Sequence, residues 1–155
     1  MIVMELEMRG SLEGKKMRFK SATKAALKTV VKSWHKQALP KHFKSGAKRR
    51  YDYDARHPRY ARYKRRKGLP PLVFSGRSKK QLTRTIKVVD SGGVVKGKFV
   101  TDNRVRYFWM TPPGHPKKGE ELIATSKSEQ RDMAAAITEM IEDDLEKVND
   151  KKVYK

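Results

Sequence analysis

Residues 56–86 read RHPRYARYKRRKGLPPLVFSGRSKKQLTRTI and change character midway. The first dozen residues interleave Arg and Lys with Tyr, the composition of an arm that grips nucleic acid. Then come a Pro-Pro turn, the apolar run Leu72-Val73-Phe74 and the step Ser75-Gly76-Arg77. A free basic tail has no use for such a step. A folded domain with a basic segment leading into it does, and the flanking sequence describes that domain.

Upstream, Phe19, Ala22, Ala26, Val30 and Trp34 recur at three- and four-residue steps from about Met17 to Ala38, with Leu27 and Val31 widening the stripe. Lysines 20, 24, 28, 32 and 36 fall on other faces, so this is an amphipathic helix, ended by Pro40. Before it, Ile2, Met4, Leu6 and Met8 alternate with Val3, Glu5 and Glu7, the period of a half-buried strand. Downstream, a helical turn is expected over Ser78–Leu82. Ile86, Val88 and Val89 then run into the hairpin signal Asp90-Ser91-Gly92-Gly93. Val94–Thr101 and Val105–Met110 read as further strands of an antiparallel meander, with Tyr107, Phe108 and Trp109 as core candidates. Thr111–Gly119, with three prolines and two glycines, reads as a loop.

The last element opens with Ser126 and Glu129 at capping-box spacing. Met133, Ile137, Met140, Ile141, Leu145 and Val148 carry its apolar stripe, which places a helix at about 127–148. The expected fold is α+β: an antiparallel β-sheet packed by two long α-helices, in one domain spanning 1–155. An extended basic arm or loop is expected over about 41–67.

Charge is the dominant compositional feature. The 155 residues carry 38 Lys and Arg against 17 Asp and Glu, a net of +21, which attracts polyanions without saying which. It is also segregated. Residues 41–67 hold twelve Lys or Arg against Asp52 and Asp54, a net of +10. Residues 126–150 hold eight Asp or Glu against three Lys or Arg, a net of −5.

Several chemistries find no footing. There is no cysteine, which removes disulfides, thiolate zinc sites and cysteine nucleophiles. No apolar run has the length of a membrane span, and the opening MIVMELEMRG is acidic where a signal peptide has its apolar core, so a soluble, unsecreted chain is expected. His35, His42, His57 and His115 have no metal-ligand spacing, and His115 lies in the rigid turn Pro-Pro-Gly-His-Pro. Glu120-Glu121 and Glu142-Asp143-Asp144 have no positioned partner in the sequence, and the latter reads as a solvated helix face. The glycines match no phosphate loop; Ser75-Gly76-Arg77 offers a weak anion site at most. A non-enzymatic protein is expected, with no catalytic residue, cofactor or metal.

The basic segment is then the candidate site: Arg49, Arg50, Tyr60, Arg62, Tyr63, Arg65, Arg66 and Lys67. Its arginines suit phosphates, and Tyr51, Tyr53, Tyr60 and Tyr63 suit stacking on bases or sugars. They equally suit anchoring on a neighbouring acidic subunit, and composition leaves both open.

The order of elements adds a resemblance. A basic approach leads into Pro71-Leu72-Val73-Phe74-Ser75-Gly76 with Leu82 following, and Glu121-Leu122-Ile123 precedes a last helix opening at Ser126–Glu129. This pattern, over about residues 17–147, resembles the neck or tail-completion (head–tail connector) proteins of tailed bacteriophages. It departs at Ser78, where a larger residue is usual, and at Ile123, where Thr is usual. The resemblance implies a virion structural protein that assembles as a homo-oligomeric ring at the head–tail junction, after assembly in the host cytoplasm. The implied partners are copies of itself, a head-closure or adaptor protein, a tail-terminator protein and genomic double-stranded DNA in the channel, with no membrane. The alternative is a basic nucleic-acid-binding protein, ribosome- or nucleoid-associated.

Overall fold

A computed structural model describes residues 3–6, 16–70, 72–73, 76–91, 94–100 and 118–153. In chain order the elements are β1 (Val3–Leu6), α1 (Lys16–Gln37), a 3-10 helix (Leu39–Phe43), α2 (Ala47–Tyr51), α3 (Pro58–Arg66), α4 (Arg77–Leu82), β2 (Ile86–Ser91), β3 (Val94–Phe99), α5 (Lys118–Ile123) and α6 (Lys127–Val153). The fold is mixed helix and strand, mostly helical, with an antiparallel sheet.

The stripe expected on α1 is its buried face: Ala26, Leu27, Val30, Val31 and Trp34 are each at most 3% exposed. Past Gln37 the chain tightens into the 3-10 turn, where Pro40, lacking an N–H, sits at the start. The sheet order is β1-β3-β2. Val88 lies opposite Gly97 and Ser91 opposite Val94, so β2 and β3 pair as the expected hairpin. Along β3, Val95, Gly97 and Phe99 turn inward. α1 crosses the sheet here so closely that a Cβ built on Gly97 would stand 2.9 Å from Val31 Cγ1 and 2.7 Å from Ile86 Cδ1. The absence of a side chain at 97 sets the helix–sheet spacing.

Two lysines from the polar side of α1 also bind the sheet. Lys24 Nζ and Lys28 Nζ lie 2.7 and 3.1 Å from the Asp90 carboxylate, and these bonds hold its pKa below the usual value. On the other side, His35 Nε2–H donates to the Leu82 carbonyl (2.8 Å), fastening α4 to α1. The two long helices pack on each other, with Met133 and Ile137 of α6 against the core and α1 lying against β2 and β3.

The capping box forms as expected. Ser126 N–H donates to Glu129 Oε2 (3.2 Å) and Glu129 N–H to Ser126 Oγ (3.3 Å). α6 then runs five residues beyond the expected end, to Val153.

The main correction concerns residues 41–67, which are folded rather than extended. They carry the end of the 3-10 helix, α2 and α3, and His42, Phe43, Ala47, Tyr51 and Tyr53 are buried in the core. The charged neighbours lie on the outside of these short elements. Asp52 makes the sharp reversal after α2 in the left-handed region (φ 50°), which Asp tolerates better than most residues. Lys118–Gly119, expected in a loop, open α5. The strand expected at 105–110, the aromatics Tyr107, Phe108 and Trp109, the loop residues 111–117 with His115, and Phe74 lie outside the described residues.

Candidate functional site

The candidate residues gather mainly on α3. Pro58 pre-sets the first turn, where a missing N–H costs nothing, and Arg, Lys and Ala then propagate the helix. The end is a Schellman motif: Leu69 N–H donates to the Lys64 carbonyl (2.9 Å) and Gly68 N–H to the Arg65 carbonyl (3.1 Å). Gly68 sits at φ 62°, where a side chain is strained. Three cations in the last turn complement the helix dipole.

At 3.6 residues per turn, Arg59, Arg62, Arg65 and Arg66 fall within about 120° of arc, and Tyr60, Tyr63 and Lys64 share the other side. Lys64 is 6% exposed, while Tyr60 and Tyr63 are 37% and 43% exposed and the four arginines are exposed. The Lys64 side therefore faces the protein and the arginine side faces outward. Lys64 Nζ donates to the Pro70 carbonyl (2.7 Å) and lies 5.4 Å from the centre of the Tyr60 ring. Burial, with Arg56 and Lys118 nearby, lowers its pKa to about 8.

The approach to α3 is fastened by a buried ion pair. Arg56 binds Glu121 of α5 in a fork: Nη1 donates to Oε1 at 2.7 Å, and Nη2 meets Oε2. Their side chains are 11% and 8% exposed. Glu121, which the sequence left without a partner, thus has one. Bidentate geometry suits Arg, and removing either half strands a buried charge.

Behind that pair lies a stacked cluster. The His42 ring sits 3.7 Å from the Tyr51 ring at 11°, and Tyr53 stacks beside both. His42 Nδ1 faces the Glu121 carbonyl (3.1 Å) and the Tyr53 hydroxyl (2.6 Å). A carbonyl only accepts, so Nδ1 carries the proton that serves it. Tyr51 O–H donates to Glu129 Oε1 (2.8 Å), the same carboxylate that closes the capping box and lies 3.6 Å from Lys41 Nζ and 4.0 Å from Arg50 Nη1. Burial lowers the His42 pKa from 6.5 to about 4, against an opposing pull from Glu129. Burial also raises the Tyr51 and Tyr53 pKa values, helped by Glu129 and Glu121 respectively. The cluster thus holds a neutral imidazole and neutral phenols, and ties the basic segment to α5 and α6.

Tyr51 and Tyr53 are therefore core residues, not contacts for a base or a neighbouring subunit. Arg49 and Arg50 lie exposed on α2, and Lys67 caps α3, also exposed. Arg59, His42, Arg56, Lys64, Glu121 and Glu129 are the residues that sequence reasoning did not assign to the site. Arg59 was findable, because Arg59, Arg62 and Arg66 have helical spacing between a Pro and a Gly. The anchors were not: the bonds by which His42, Arg56, Glu121 and Glu129 fasten the segment span 65 to 79 residues, and nothing in the sequence marks Lys64 as buried.

On α6, Asp132, Glu139, Glu142, Asp143 and Glu146 are exposed and fall within about 100° of arc. An open cleft of about 240 Å³ between α1 and α6 is lined by Trp34, Met133 and Met140, with Lys41 and Glu129 also on its wall. Among the described residues no cluster of His, Asp and Glu could hold a metal, and no helix is long and apolar enough to cross a membrane.

No protein-family model matches the chain, and no match was found among curated proteins or solved structures.

Proposed function

We propose that this chain is a non-enzymatic structural subunit of a tailed-bacteriophage neck, one copy of a ring that joins head to tail. The observation that carries the reading is α3: an outward arginine face on a helix whose inner Lys64 is buried and which follows directly on the buried Arg56–Glu121 ion pair. A helix so anchored suits a fixed geometric contact better than a sliding grip on a flexible polyanion. Charge segregation adds to this, with an acidic face on α6 that would repel phosphate and attract a basic neighbour. The order of sequence steps resembling neck and tail-completion proteins is the remaining support. In this reading α1 and α6 together back the sheet as a rigid body. The partners are further copies, a head-closure protein, a tail-terminator protein and double-stranded DNA in the channel.

The test is negative-stain microscopy of the purified protein mixed with the head and tail proteins of the same virion. Ring-shaped density at the head vertex is expected; absence of any head- or tail-attached density would count against the reading.

A second reading, a basic nucleic-acid-binding protein, is favoured by the net charge of +21 and the Arg and Tyr makeup of α3. Nanomolar duplex binding with a preference of sequence or shape would support it. Weak binding that salt abolishes is what the arginine face produces on any polyanion.

A further inference from the structure

We propose that the arginine face of α3 docks on the acidic face of α6 of a second copy of this chain; the inference rests on the ring reading and names its contact.

The two faces match in spacing as well as sign. Arg59, Arg62 and Arg66 stand at i, i+3 and i+7, as do Glu139, Glu142 and Glu146. Both triplets span about 10.5 Å at 1.5 Å rise per residue. With the helices antiparallel, Glu146, Asp143 and Glu139 present the same 3-then-4 spacing to the arginines. Among the described residues, no ion pair within one chain joins these arginines to these carboxylates. The complementary charges of one chain are thus left for another.

Apolar surface falls in the same places. The exposed large hydrophobic side chains among the described residues are Tyr60, Tyr63, Val100 and Leu145. Tyr63 borders the arginine face and Leu145 borders the acidic face, so each charged stripe has an apolar edge to exclude water at the contact. Guanidinium–carboxylate forks beside an aromatic ring are a favoured interface chemistry.

Because the surfaces differ, the contact is heterologous. Repeated from copy to copy it generates a closed ring or an open filament, not a two-fold dimer. The arginines sit on a helix whose inner side buries Lys64 and whose start follows the Arg56–Glu121 ion pair, so the angle between successive copies is tied to the fold.

Charge reversal with rescue tests it, read by sedimentation velocity at low salt with far-ultraviolet dichroism as the check on folding. The wild type is expected to sediment as oligomers. R62E/R66E and E139R/E146R are each expected to remain folded monomers, and an equimolar mixture of the two, or one chain carrying all four changes, to reassemble. If the wild type forms oligomers that R62E/R66E leaves unchanged, the contact is wrong although a ring exists. If each reversal blocks assembly and neither the mixture nor the combined chain recovers it, the pairing is likewise overturned. If the wild type is monomeric up to crystallographic concentrations, ring and contact fall together. If duplex DNA alone drives an assembly that R62E/R66E abolishes, the face belongs to nucleic acid and the proposal fails.

Discussion

His42 shows how a residue that looks basic in sequence acts as core. Its neutral ring is stacked on Tyr51 and bonded at Nδ1, and protonation would place a charge where burial forbids it. The folded state therefore refuses a proton that the unfolded state accepts at ordinary histidine pKa. The stability that follows is complete above pH 6.5 and is lost as pH falls to about 4. The shift is worth on the order of 3 kcal/mol. Urea unfolding of H42N across that window is expected to show a flatter pH dependence than wild type; an unchanged slope would mean His42 is not the titrating group. Gly97 makes the opposite case, a position defined by what it lacks. G97A must displace both Val31 Cγ1, which is stiff, and Ile86 Cδ1, the freer end of its side chain. The expected loss is about 1–3 kcal/mol in chemical denaturation, as for overpacking elsewhere.

At the scale of elements, α3 depends on the Arg56–Glu121 pair before it, the buried Lys64 on its inner side and the turn at Gly68 that ends it. R56M strands Glu121 as a buried charge and is expected to destabilise by about 3–5 kcal/mol, while R56M/E121M recovers most of the loss. Additive losses in that cycle would contradict a coupled pair. G68A forces a side chain into the left-handed turn that ends α3, at about 1–2 kcal/mol, read as a lower thermal midpoint. These attachments also explain what sequence reading could and could not reach. α1 and α6 were legible because their apolar residues keep a 3.6-residue period and α6 opens with a capping box. The hairpin was legible from alternation and Asp90-Ser91-Gly92-Gly93. Residues 41–57 were not, because beside Phe43 and Ala47 their core is made of His42, Tyr51 and Tyr53. These polar or amphipathic residues have no period, and they are held by stacking and by bonds to α5 and α6 more than 70 residues away. The helix of α3 left its marks in Pro58 and in Lys67-Gly68, but charge density argued more loudly for an arm.

For the whole molecule, the folded basic segment changes what the charge can do. An extended arm would adapt to any polyanion, whereas a docked helix presents four guanidiniums in one fixed arc. With an acidic stripe on α6 and no in-chain pairing between the two among the described residues, the molecule carries complementary faces suited to self-assembly. Salt is the lever on such an interface, because exposed charges are screened over about 10 Å at 0.1 M and about 3 Å at 1 M. The most direct measurement is light-scattering mass of the purified chain at low and high salt, over a wide range of protein concentration. Ring assembly requires a species of fixed subunit number at low salt that dissolves toward monomer as salt rises. A monomer under every condition would contradict it.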